Sequence, residues 1–227
     1  MPLSPAANLG GDIVERTPRG VHMPTSSITT RTASSAEVDT VTDLCLAAFA
    51  DEAVTAWLIP DPGERQSYMR RMLSTSLDKV ITAGAVILAI DPAGSPVAAS
   101  LWLPPTTTTD GSMPQSPPAG DDDPQAQRMK AVEAATRARR PDDPHLHLSS
   151  MATLPDHRGR GAGAVMLAAG LERARTLELP VYLEASTSDN RRLYERFGFR
   201  DLGERIDLPD GGPAVQPMWL AIDSARS

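Results

Sequence analysis

Residues 155–167, Pro155-Asp-His-Arg158-Gly159-Arg160-Gly161-Ala162-Gly163-Ala164-Val-Met-Leu167, decide how this chain is read. An apolar run, Leu146 to Leu154, leads into them, and a helical pattern follows at once. Glycines permit a tight turn and leave no Cβ between backbone N–H groups and a ligand. The first turn of a helix adds unpaired N–H groups and a partial positive charge. Arg158 and Arg160 add full charges, so the stretch reads as a cradle for a phosphate or pyrophosphate. A P-loop needs Gly-Lys-Ser/Thr at its end, and none follows Gly163. A dinucleotide fingerprint would place its third small residue at Ala164, which the spacing allows. That fingerprint normally follows the first strand, however, and here several elements come earlier.

Upstream, residues 1–26 are rich in Pro, Gly, Ser and Thr without periodicity and are expected to be disordered. Met23 then offers a second start for translation, beside Met1. A short strand is expected near Ile28–Arg31. Ser34 or Ser35 caps a helix whose apolar positions are Val38, Val41, Cys45 and Phe49. A second helical region spans Asp61–Ile81, interrupted near Ser74–Ser76. Ala85–Ile90 and Val97–Leu103, joined by the turn at Asp91–Ser95, make a hairpin. The stretch 104–125, with its threonine run, prolines and three aspartates, is expected to be a long flexible loop. A polar helix follows over Pro124–Arg139.

Downstream, the helix after the glycines runs to about Glu178 with Leu167, Leu171, Ala174 and Leu177 on one face. Pro180 opens a strand, Ser188 caps a short helix that ends at Gly198, and strands near 199–208 and 214–222 complete the chain. This is a mixed α/β order, with one strand–helix–strand crossover flanked by hairpins, over a single domain at 27–223. The formal charge of −7 over 227 residues argues against a nucleic-acid partner, because no basic stripe is present. The single cysteine, Cys45, rules out an internal disulfide or a Cys-rich zinc site and reads as a buried thiol. No run approaches the ~18 apolar residues of a membrane span, and no signal peptide is evident. A cytoplasmic protein with no membrane partner is expected.

A second block accompanies the loop: Tyr182-Leu-Glu184-Ala-Ser186, then Asn190-Arg-Arg-Leu-Tyr194-Glu-Arg-Phe-Gly-Phe199. Together, Arg158-x-x-Gly161-x-Gly163 and Asn190-x-x-x-Tyr194-x-x-x-Gly198-Phe199 resemble the GCN5-related N-acetyltransferase (GNAT) superfamily. The resemblance covers residues 28–222 in element order and 145–200 in detail. Phe49-Ala-Asp51 is similar to the puromycin N-acetyltransferase-like branch. The resemblance implies the GNAT fold, a central mixed, mostly antiparallel twisted sheet of about six to seven strands flanked by helices, close to the usual size of a sheet. It implies acetyl-CoA as cosubstrate and no metal, a small-molecule amine as acceptor, and a homodimer as the assembly to look for. A protein or peptide acceptor, or a non-catalytic acyl-CoA sensor, stands as the alternative.

On that resemblance Met151, Ala152 and Thr153 present backbone groups to the pantetheine arm, as an added strand would. The N–H groups of Gly159, Arg160, Gly161, Ala162, Gly163 and Ala164 hold the pyrophosphate, and Arg158 is a further cofactor-binding residue. Amide formation must take a proton from an ammonium near ~10.4 and give one to a thiolate near ~8.5. Tyr194 is the expected general acid, with Asn190, four residues earlier and on the same helical face, as a polar contact to the cofactor. The base is open between Glu184, mid-strand and costly to bury unpaired, and His147, whose neutral imidazole suits the task. Asp51 and Glu52 are candidates to anchor a cationic acceptor.

Overall fold

The computed structural model describes residues 28–105 and 124–222. The expected disordered leader, Met23 and nearly all of the 104–125 loop lie outside the described residues. Fourteen elements of regular structure follow in chain order: β1 (Thr29–Thr32), α1 (Val38–Phe49), α2 (Ala53–Leu58), α3 (Pro62–Thr82), β2 (Val86–Ile90), β3 (Pro96–Leu103), α4 (Pro124–Arg137), β4 (Leu146–Thr153), α5 (Ala162–Thr176), β5 (Val181–Ala185), α6 (Ser188–Arg196), β6 (Arg200–Asp201), β7 (Ile206–Asp207) and β8 (Ala214–Leu220). The sheet runs β1-β2-β3-β4-β5-β8-β6, with β7 also on β8. Every pairing is antiparallel except β4–β5, the pair joined by the α5 crossover. The count is eight strands rather than about six to seven. The predicted strand at 199–208 is broken into β6 and β7, each two residues long.

Alternation along the central strands divides the core into two layers. Trp102, Leu146, Leu148 and Leu183 face α5, where Met166, Leu167 and Leu171 meet them and Tyr194 and Phe199 close the end. Val86, Leu88, Ala99, Leu101 and Ala152 face the other way, onto Val41, Leu44 and Cys45 of α1 and Leu77 and Ile81 of α3. Burial pushes the Cys45 thiol up to about 12, which makes it an inert core residue. A satellite cluster, Ile206, Leu208 and Val215 with Val54, Trp57 and Val132, joins α2 and α4 to the β7–β8 end. Gly170 is where α5 crosses Trp102 of β3, and a Cβ there would overlap the indole.

Three local expectations need correction. Helix α3 runs unbroken through Ser74–Ser76, because Leu73, Leu77 and Ile81 bury one face against α1, and tertiary packing overrides weak local propensity. The α6 cap is Thr187, not Ser188: Thr187 is extended and its Oγ1 accepts from the Asn190 N–H at 3.1 Å. Helix α2, absent from the sequence reading, is nucleated by Glu52, whose carboxylate accepts from the N–H and the hydroxyl of Thr55 at 2.9 Å each.

Candidate active site

The site follows from where β4 and β5 part. Only Leu146↔Val181 and His147↔Tyr182 are in register, and the strands diverge beyond them. On its other edge β4 stays paired with β3 to Thr153, across a bulge at Ser149 that sets Leu101 opposite Ser150 and Trp102 opposite Leu148. The Leu154 N–H donates to the Val97 carbonyl at 3.0 Å. By the alternation of an antiparallel ladder the amide groups of Ala152 also face β3, and those of Met151 and Thr153 face the divergence. Two of the three expected backbone contacts are therefore free to bind an extended arm. Ala152 is not one of them, being committed to the β3 ladder and buried against α1.

Past β4, a single tight turn at Pro155–His157 leads to Gly159 at φ 72° and Gly161 at φ 92°, both in the left-handed region that favours glycine. Gly161 is the N-cap of α5. The first helical hydrogen bond at this end runs from the Val165 N–H to the Gly161 carbonyl, at 3.1 Å, so the N–H groups of Ala162, Gly163 and Ala164 are the unpaired donors of a helix start. No acidic residue lies in that first turn. The two arginines separate. Arg158 turns back, its guanidinium donating to the Ala48 carbonyl near the end of α1 at 2.8 Å, while Arg160 is exposed with no partner among the described residues. These left-handed glycines, free donors and open β4 edge fit the pyrophosphate and amide-bearing arm of acetyl-CoA.

Helix α6 lies beside the loop, with Leu193 next to Gly163. Tyr194 is buried against Phe199, ring centroids 5.8 Å apart, and its hydroxyl has no hydrogen-bond partner among the described residues. Burial raises its pKa, so the phenol keeps its proton at neutral pH. Asn190, one turn earlier, is half-buried.

The two candidate bases, read from sequence as alternatives, are bonded to each other. His147 Nε2 lies 2.8 Å from Glu184 Oε2. The pairing of β4 with β5 places His147 opposite Tyr182, and the pleat sets Tyr182 and Glu184 on one face, away from Leu183 and hence away from Tyr194. Arg140 Nη2 stands 3.9 Å from the other carboxylate oxygen, with its guanidinium 6.0 Å from the Tyr182 ring. His145 packs edge-on to Tyr182 and Trp219. Burial works against charge on Glu184, but the hydrogen bond from His147, the charge of that imidazole when it is protonated, and the charge of Arg140 outweigh it and hold the carboxyl below its usual range. Tyr182, His145 and Arg140 were missed from sequence. Parallel register is non-local, and nothing in either strand alone announces it.

Of the acceptor-anchor candidates, Glu52 is used as the α2 cap. Asp51 lines a cleft of about 380 Å³ between α1 and α3, together with Phe49, Arg65 and Met69. Among the described residues there is no cluster of three or more metal-ligating side chains, and no helix is long and apolar enough to cross a membrane.

An open sheet parted beside a glycine-bordered helix start defines a class of acyl-CoA-binding acyltransferases, and comparison with known proteins agrees. Residues 128–199 match the Acetyltransferase (GNAT) family. A structure from Corynebacterium glutamicum, described as histone acetyltransferase HPA2 and related acetyltransferase, is 28% identical, with a TM-score of 0.65 over 86% of this chain and 96% of that one. The Drosophila melanogaster polyamine N-acetyltransferase, which forms N-acetylagmatine, is 18% identical with a TM-score of 0.55, covering 86% and 100%. The PaiA N-acetyltransferase of Thermoplasma acidophilum, in complex with coenzyme A, is 13% identical with a TM-score of 0.53, covering 86% and 99%. Over residues 128–199 the chain is similar to that family, and over 86% of its length it shares the fold of these acetyltransferases.

Proposed function

We propose that the chain transfers the acetyl group of acetyl-CoA to a primary amine of a small molecule, by direct attack in a ternary complex. The observation that carries this reading is the hydrogen-bonded His147–Glu184 pair beside the β4–β5 divergence, with Tyr194 on the opposite face of β5. Groups able to take and to give a proton thus flank the parting of β4 from β5. Acetyl-CoA supplies an acetyl thioester, whose C–S bond breaks as the C–N bond forms.

Met151 and Thr153 would hold the arm by their backbone groups, and the N–H groups from Gly159 to Ala164 the pyrophosphate. Tyr194 would protonate the departing sulfur, and the His147–Glu184 pair would accept the ammonium proton. Phe49-Ala-Asp51 and the tyrosine helix support the finer placement in the puromycin N-acetyltransferase-like branch. Small-amine acetyltransferases among the similar structures support a small acceptor. The protein is expected to act in the cytoplasm, without a metal.

An amine-library screen that follows thiol release from acetyl-CoA tests this reading. Turnover is expected with at least one small primary amine, and Tyr194→Phe should lower kcat by about 10²-fold, the usual weight of a general acid, with acetyl-CoA affinity unchanged. Tight binding of NAD in place of acetyl-CoA would sink the proposal. A Tyr194→Phe enzyme with full turnover would remove the assignment of the acid.

A further inference from the structure

His147 and Glu184 need not share one role, and their hydrogen bond divides the work. A carboxylate held ionised can only accept hydrogen bonds. Glu184 is held so by its partners, which places the proton of the 2.8 Å contact on His147 Nε2. In a neutral imidazole the other nitrogen then carries the lone pair. His147 Nδ1 has no partner among the described residues, and the His147 side chain retains 10% exposure. Glu184 is boxed in: Oε2 is taken by His147, Oε1 is buried and faces Arg140, and the buried hydroxyl of Tyr182 lies beside the carboxylate. The neighbouring imidazole is used differently, since His145 Nδ1 lies 2.7 Å from the Asp143 carbonyl.

We infer that His147, through Nδ1, is the general base of the transfer, and that Glu184 is its positioning residue, itself buried and faced by the Arg140 guanidinium. This rests on the acetyltransferase reading above and assigns the roles within it. The ammonium proton passes to His147 Nδ1 and the freed nitrogen lone pair forms the C–N bond. The C–S electrons leave on sulfur, which takes the Tyr194 proton; the second nitrogen proton, shed as the amide forms, restores the Tyr194 phenol, and the imidazolium later releases its proton to water. The imidazolium that results faces the Glu184 carboxylate, which favours it, and Arg140, which opposes it from behind that carboxylate. Tyr182 and the neutral His145 complete the groups around it.

Chemical rescue separates the two assignments. His147→Ala should bind acetyl-CoA as wild type does by calorimetry and lose about 10²-fold in kcat. Added imidazole should restore activity at least about tenfold, and across substituted imidazoles the recovered rate should climb with basicity, as Brønsted behaviour requires. Glu184→Gln should lower kcat while leaving the KM for acetyl-CoA unchanged, and added imidazole should not restore it, because the base is still present but no longer oriented. Failure of every imidazole to restore turnover to His147→Ala overturns the inference. So does a His147→Ala enzyme within about threefold of wild type, or a Glu184→Gln enzyme that imidazole restores as it does His147→Ala. Wild-type protein that neither binds acetyl-CoA nor releases thiol would instead overturn the acetyltransferase reading on which the inference stands.

Discussion

Replacing Gly161 by alanine places a side chain on a backbone that the loop holds at φ 92°, ψ −3°. An L-residue in the left-handed region costs about 1–2 kcal/mol. That cost has two places to appear. If the loop keeps its path, the folded state loses the full amount and the free donors of Ala162, Gly163 and Ala164 stay in position. If the loop relaxes, stability is spared and the donors must be brought back when the cofactor binds, which weakens acetyl-CoA by roughly 5- to 30-fold. The loss of folding free energy and the loss of binding free energy should therefore sum to about 1–2 kcal/mol. Gly163→Ala is the control. It lies inside α5 at ordinary helical angles, and its Cβ would meet only Leu193 Cδ2 at 3.3 Å and Met151 Sδ at 3.4 Å, the ends of flexible side chains. The helix gains up to about 1 kcal/mol from that change, so any lost affinity there reports obstruction of the ligand. Urea denaturation and calorimetry with acetyl-CoA measure both terms. A summed loss below about 0.5 kcal/mol for Gly161→Ala would show that glycine is not required by backbone conformation.

Gly170→Ala should destabilise the fold by about 2 kcal/mol, since overpacking the Trp102 indole costs about 3 and helix propensity returns about 1. Denaturant midpoints check it, and the double variant with Trp102→Phe should lose less than the two single losses added. Arg160→Ala should weaken acetyl-CoA about 3- to 10-fold, an effect that fades at high salt as expected for an exposed charge. Arg158→Ala should leave that affinity nearly unchanged and lower the unfolding midpoint, because its guanidinium serves the Ala48 carbonyl. Equal losses of affinity in both variants would contradict the separation of the two arginines.

What the sequence revealed and what it hid divide along sequence separation. The β2–β3 hairpin, the β4–loop–α5 unit and α6 are built from contacts between near neighbours, and each carries its own turn or cap. The cap of α6 was misplaced by one residue because Thr187 and Ser188 are both good cap residues, and only the extended conformation of Thr187 separates them. The break expected in α3 came from Ser74-Thr-Ser76, whose low propensity is outweighed by the burial of Leu77 and Ile81 under α1. His147 and Glu184 were both nominated, yet their union was hidden. It depends on a two-residue parallel register between strands separated by a whole helix. The redirection of Arg158 to a carbonyl 110 residues earlier is hidden for the same reason.

The divergence between β4 and β5 would be unstable if β5 depended on β4 for its place. It does not: β5 pairs with β8 along its whole length, from Val181↔Leu220 to Ala185↔Gln216. That ladder fixes the pleat, and the pleat assigns the chemistry. Leu183 faces the layer containing Tyr194, while Tyr182 and Glu184 face His147. A slip of one residue between β5 and β8 would exchange the two faces, burying the carboxylate beneath α6 and presenting a leucine to the imidazole. Residues of β8, the buried Met218 opposite Leu183 above all, thereby decide on which side of the sheet a proton can be taken. The open edge of β4 is available to an extended ligand because β8 holds β5 in place without β4 having to close on it.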